Sequence, residues 1–231
     1  MQAAVSPSPV FSYRRLSPTR LAYLLCACAA LFGATAHASE IDDQVAALQT
    51  RWAEINYQLT GDAQERGFAE LSATADAAVQ AHPDAAPLWI WSGIVKSSYA
   101  GAKGGLGALS IAKAAKHNLE KAIEIDQSAL HGSALTSLGT LYFKVPGWPV
   151  GFGDRDKARE LLQKALTLNP DGIDPNYFYG LFLLDQKQYA LAQTALEKAR
   201  RAPSRPGREL ADRGRHAEIE LALAQIRKKL E

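Results

Sequence analysis

Four histidines, His82, His117, His131 and His216, are the side chains beyond the N-terminal region best suited to act as a general base or metal ligand near neutral pH. They stand far apart, and none belongs to the H-E-x-x-H arrangement that sets two imidazoles on one helix face. There is no G-x-S-x-G nucleophile elbow, and no spacing places a pair of carboxylates in a common pocket. Asp171 and Asp174 carry the right atoms for calcium but lack the regular ligand series of a metal loop; the Asp174-Pro175 step reads instead as a helix start, cap followed by first helical residue. The glycine-dense run from Gly101 to Leu109 lacks the Gly-Lys-Ser/Thr ending of a phosphate loop. These residues predict a protein that binds rather than catalyses, with no metal and no cofactor.

Binding candidates are aromatic and few. Trp148 and Phe152 sit in Val145-Pro-Gly-Trp-Pro-Val-Gly-Phe-Gly-Asp154, where large apolar side chains are costly to leave in water. Either they fold back and plug the concave side of the fold, or they line a ligand pocket or partner surface. Trp89 and Trp91 are two residues apart on a helix and cannot face the same way, so one is expected in the core and the other in a groove. Tyr177, Phe178 and Tyr179 read as hairpin core, with one side chain left to face the groove. Lys103, among the glycines, is placed to meet an anion. The candidate site is therefore Trp89, Trp91, Lys103, Trp148, Phe152, Tyr177 and Tyr179.

The elements that must carry these residues are helices. From Asp42 onward apolar residues recur at helical spacing, with no competing strand alternation. A helix over 154–168 has Ala158, Leu161, Leu162, Ala165 and Leu166 in one stripe, is capped by Asp154 and stops at Asn169-Pro170. A second over 188–200 repeats it with Ala192, Ala195, Leu196 and Ala199 before Pro203, and Ala115, Leu119 and Ala122 repeat it upstream. Each is preceded by a helix with a glycine among bulky residues: Gly93, Gly139 and Gly180. This is the pattern of the tetratricopeptide repeat, in which small residues let two antiparallel helices approach and each hairpin buries its apolar face against its neighbours. The expected fold is an all-α, tetratricopeptide-like α-solenoid of three to four hairpins with a final capping helix from about Arg208 to Leu230. The Gly-to-Ala spacing is 12 residues from Gly180 to Ala192, but 19 from Gly139 to Ala158 and 22 from Gly93 to Ala115. Two hairpins are thus expected to carry insertions at their tips.

Residues 1–38 read as a signal peptide. Arg14, Arg15 and Arg20 precede an apolar run from Leu21 to Phe32, the run ends in Ala36-His37-Ala38, and no acid occurs before Glu40. Cleavage after Ala38 and a periplasmic location are expected. Leu25-Cys26-Ala27-Cys28 partly matches a lipobox that would anchor the chain at Cys28, but the residues after it stay apolar, which suits a continuing leader better. Residues 39–231 then form the repeat domain, with 23 Lys and Arg against 24 Asp and Glu and no cysteine. That balance offers no basic stripe for nucleic acid and leaves nothing to mispair in an oxidising compartment.

The inserted segments together, Gly101 to Leu109, Leu138-Gly-Thr-Leu-Tyr142, Val145 to Asp154 and Asn169 to Gly180, resemble the T-component family of TRAP transporters over about residues 85 to 200. The resemblance implies a periplasmic helical-repeat protein working beside a solute-binding protein, with a hydrophobic small molecule as a possible ligand and a homo-oligomeric assembly. A general cell-envelope scaffold for protein–protein interaction is the alternative that the repeats alone support.

Overall fold

The computed structural model describes residues 40–230, so the expected leader, with Cys26 and Cys28, lies outside the described residues. The described chain is all-α. Its helices are α1 (40–58), α2 (Gly61–Ala81), α3 (Ala86–Lys103), α4 (Gly105–Asp126), α5 (Ala129–Lys144), α6 (Arg155–Leu168), α7 (Ile173–Asp185), α8 (Tyr189–Arg200) and α9 (Glu209–Leu230). Successive pairs form four antiparallel hairpins, each packed on the next, and α9 follows as a fifth layer. The helices owe their stability to tertiary burial, since each presents an apolar stripe that no single hairpin can cover.

The expected small-residue packing is present in three hairpins. A side chain at Gly93, Gly139 or Gly180 would collide with Leu119, Leu162 or Leu196, its Cβ lying 2.5, 2.8 or 2.7 Å from the leucine Cγ. Those leucines are fully buried, as are Ala115, Ala158 and Ala192 one turn earlier, so the same knob enters the same gap in each repeat. Asp154 caps α6 as expected, accepting hydrogen bonds from the backbone N–H groups of Asp156 and Lys157, each at 3.0 Å.

Two local expectations are corrected. The run from Gly101 to Leu109 is not an inserted loop: α3 continues to Lys103, and α4 begins at Gly105. Gly104 and Gly105, at φ 59° and 57°, reverse the chain in two left-handed residues that only glycine adopts without cost. The ten extra residues of this hairpin are extra helical turns, which make α3 and α4 18 and 22 residues long. The second insertion is a true loop over residues 145–154, pinned by Gly153 N–H to Pro146 O and Asp154 N–H to Tyr142 O, both at 2.9 Å. Asp174 does not cap α7. The cap position is Gly172, because Asn176 donates from Nδ2 to the carbonyls of Pro170 and Gly172 and holds the turn without Asp174. The Asp174 carboxylate is thereby free to face α9.

The expected capping helix does more than cap. Its C-terminal half, with Ile219, Ala222, Leu223 and Ile226, joins the core built from α7 and α8. Its N-terminal end, through Ala211, joins the core of Val45, Trp52 and Trp91 at the other end of the stack. The ring of Tyr57 in α1 packs against Gly214, where any side chain would collide with it. At 22 residues α9 is about 33 Å long, enough to cross the concave face.

Gly139→Val and Gly180→Val are each expected to lower stability by about 2 kcal/mol, an overpacking cost that exceeds the gain from removing a mid-helix glycine. Urea unfolding monitored by circular dichroism reads this directly. An unchanged midpoint would mean that the hairpins are not closely packed at these glycines.

Candidate ligand cavity

The roofed concave face encloses a cavity of about 920 Å³. Its walls come from the first helices of the hairpins, α1, α3, α5 and α7, together with the start of α4, loop 145–154 and the N-terminal part of α9. Its apolar lining includes Ile94, Ala108, Leu109, Ala112 and Ile173. The α5 side adds hydroxyl groups from Ser133, Thr136, Ser137 and Thr140, spread over about two helical turns.

The start of α5 is shaped by the site. Leu130, His131 and Gly132 take left-handed backbone angles in succession, at φ 47°, 56° and 75°. The first two are residues for which this conformation costs on the order of 1–2 kcal/mol each. The bend sets Leu130 and His131 on the cavity wall.

Ion pairs hold the roof. Asp174 in α7 accepts from Arg205 Nη1 at 2.5 Å and from Arg215 Nε at 2.8 Å. Arg205 is also clasped by the buried Asp212, at 2.6 Å, and Arg215 by Glu218, at 2.5 Å. Arg215 further lies over the rings of Tyr177 and Phe178, at 4.4 and 4.7 Å from their centroids. Burial pushes the Asp174 carboxyl up, but Arg215 and Arg205 outweigh it and hold its pKa at about 2. Burial pushes the Tyr177 hydroxyl up to about 12, with Glu218 adding to the rise and Arg215 opposing it.

Arg208 differs from its two neighbours. It lines the cavity with no carboxylate within 4.0 Å among the described residues, and its Nε is buried without a hydrogen-bond partner. Its guanidinium lies over the Trp91 ring, 5.2 Å from the centroid. Burial first, and then the positive charge of Arg205, depress its proton affinity.

The sequence candidates are divided by this geometry. Trp91, 4% exposed, lines the cavity and packs edge-on against Trp52 at 6.1 Å. Trp89 lies outside it, donating from Nε1 to Pro83 O at 2.8 Å with its ring edge-on to His117. Lys103 is taken by Glu65 at 2.8 Å and does not reach the cavity, so its role as an anion contact is corrected. Trp148 neither folds back nor lines the cavity: it is 90% exposed on the tip of loop 145–154, with Val150 beside it at 66%. The bond preceding Pro149 is cis. Phe152 packs on Tyr142 at 5.7 Å under Lys116, as loop core. Tyr177 is buried beneath Arg215; Tyr179 stacks on Phe182, and its hydroxyl accepts from Gln163 at 3.3 Å. It is Phe178 of this trio that faces the cavity. Arg205, Arg208, Arg215, Tyr57 and His131 were not legible as site residues. The one available signal was the small pair Ala211 and Gly214 beside Arg215, a close-approach face on a helix expected only to cap.

Among the described residues no group of three or more His, Cys, Asp or Glu side chains could hold a metal ion, and no helix is long and apolar enough to cross a membrane. Residues 150–204, which span α6, α7 and α8, match the family profile of the tetratricopeptide repeat. The curated proteins include no match to the chain. Helical repeats of this kind generally serve protein–protein interaction, and the chain is a tetratricopeptide-like helical-repeat protein over that segment.

Because the folded-state pKa of Asp174 lies below its ordinary 3.8, its contribution to stability is complete above about pH 4 and is lost as pH falls towards 2. With the carboxylate 30% exposed, about 1–2 kcal/mol is expected from it. Asp174→Asn should lower stability at pH 7 by that amount and flatten the acid limb of a urea-midpoint profile between pH 4 and 2. An acid limb identical to wild type would contradict the assignment.

Proposed function

We propose that the protein is an exported, non-catalytic binding protein that works as a scaffold for protein–protein interaction in the cell envelope. The observation that carries this reading is the tip of loop 145–154. Trp148 is almost fully exposed, and Val150, whose other side lines the cavity, is largely so, on a loop whose base is fixed by backbone hydrogen bonds. A rigidly held apolar tip of this kind suits burial by a partner, because tryptophan contributes much contact area at little cost in conformational entropy. The tetratricopeptide match supports the same class of role. The periplasm is the proposed location, on the strength of the leader-like residues 1–38 and the absence of cysteine after Cys28.

A second reading is favoured by the cavity. Its volume, about 920 Å³, falls within the range of small-molecule sites, and α9 occupies the face along which a solenoid would otherwise grip a peptide. In this reading the protein takes a hydrophobic small molecule and passes it to or from a solute-binding protein, as the resemblance to TRAP T-components implies.

A photo-crosslinking residue in place of Trp148, with Leu221 on α9, 73% exposed against 90% for Trp148, as the control position, separates these outcomes. One discrete partner captured at 148 and not at 221 is expected. A solute-binding protein as that partner supports the transport role, another envelope protein the general scaffold, and a second copy of the chain self-association. Identical capture from both positions, or none from either, would remove the proposal.

A further inference from the structure

We infer that loop 145–154 couples the cavity to its exposed tip: a molecule filling the cavity steadies the turn that presents Trp148, so a partner docking there binds the filled protein more tightly than the empty one. The inference rests on the small-ligand reading of the cavity and on docking at Trp148, and goes beyond both in joining them.

The loop is a wall on one side and a surface on the other. Val145, Pro146 and Val150 line the cavity, while Trp148, between the last two, is 90% exposed. The backbone N–H groups of Val150 and Gly151 both donate to Gly147 O, each at 3.1 Å. Trp148 and Val150 therefore belong to one hydrogen-bonded turn, and neither shifts far without the other.

Behind this turn there is little slack. A Cβ at Gly151 would lie 2.5 Å from Pro146 O, 2.9 Å from Val145 Cγ1 and 3.4 Å from Leu109 Cδ1, so the turn rests on residues that line the cavity. Close packing of this kind passes a displacement on rather than absorbing it. Val150 is the exception: it is 66% exposed although it lines the cavity, so its side chain has apolar surface left to bury. A molecule in the cavity that covers the inner side of Val150 makes a contact that is lost whenever the turn opens. Filling the cavity thus favours the closed turn, and by linkage a partner that needs the closed turn favours the filled cavity.

The test is amide hydrogen exchange at Val150 and Gly151, read by nuclear magnetic resonance with and without saturating Nile red, a neutral apolar dye whose own fluorescence reports binding. Both amides are expected to exchange roughly three- to ten-fold more slowly with dye, the worth of partly burying one valine side chain. The dye-dependent slowing should disappear in Val150→Gly and persist in Trp148→Ala, because the dye sits in the cavity and not on the tip. Unchanged exchange in the wild type at saturation, slowing retained in Val150→Gly, or slowing lost in Trp148→Ala would each overturn the inference. Only the absence of dye binding would remove the small-ligand reading with it, and crosslinking from position 148 tests docking separately.

Discussion

A helical-repeat stack presents a concave face, and whether that face is an open groove or a chamber depends here on how α9 is held. The Asp174 carboxylate of α7 reaches Arg205, ahead of α9, and Arg215 within it. Around this link, Asp212 fixes the turn that leads into α9, and Tyr57 of α1 rests on Gly214 from the opposite end of the stack. A carboxylate so engaged is costly to leave without its partners, so the roof and the last hairpin are coupled. Without that coupling the cavity would open along its length.

The cavity follows from the same arrangement. First helices of tetratricopeptide hairpins face inward because their glycines must meet the leucines of the second helices on the other side. What remains on the inner face is then set by residues the packing does not use, which explains the mixture of apolar wall, hydroxyl row and arginine cluster. The left-handed bend at Leu130 and His131 is a local cost that directs these two side chains into the site.

The fold was legible in the sequence where packing repeats. Gly93, Gly139 and Gly180, with their partner alanines and leucines, state the hairpin geometry directly, and Asp154 states a helix start. The tip lengths were less legible: a spacing of 22 residues does not distinguish a loop from added helical turns, and only the glycine pair at 104 and 105 makes the second possible. The site was legible in part. Trp91 could be placed on one of two faces by helical periodicity, but the choice depended on which neighbour packed behind it. Arg208 and Arg215 were invisible because their roles arise from contacts between segments far apart in sequence, with α3 and α7 respectively. Asp174 looked like a cap because aspartate before proline often is one; Asn176 relieved it of that duty.

The central claim is that α9 lies seated across the concave face along its whole length. Amide hydrogen exchange measured residue by residue through α9 tests it most directly, because protection reports burial and hydrogen bonding in each turn. The account predicts that residues 211–219, which bridge α1 and α7, exchange as slowly as the buried turns of α7 and α8. Rapid exchange confined to that N-terminal half, with residues 220–226 still protected on α8, would show a helix that caps the last hairpin and leaves the concave face open.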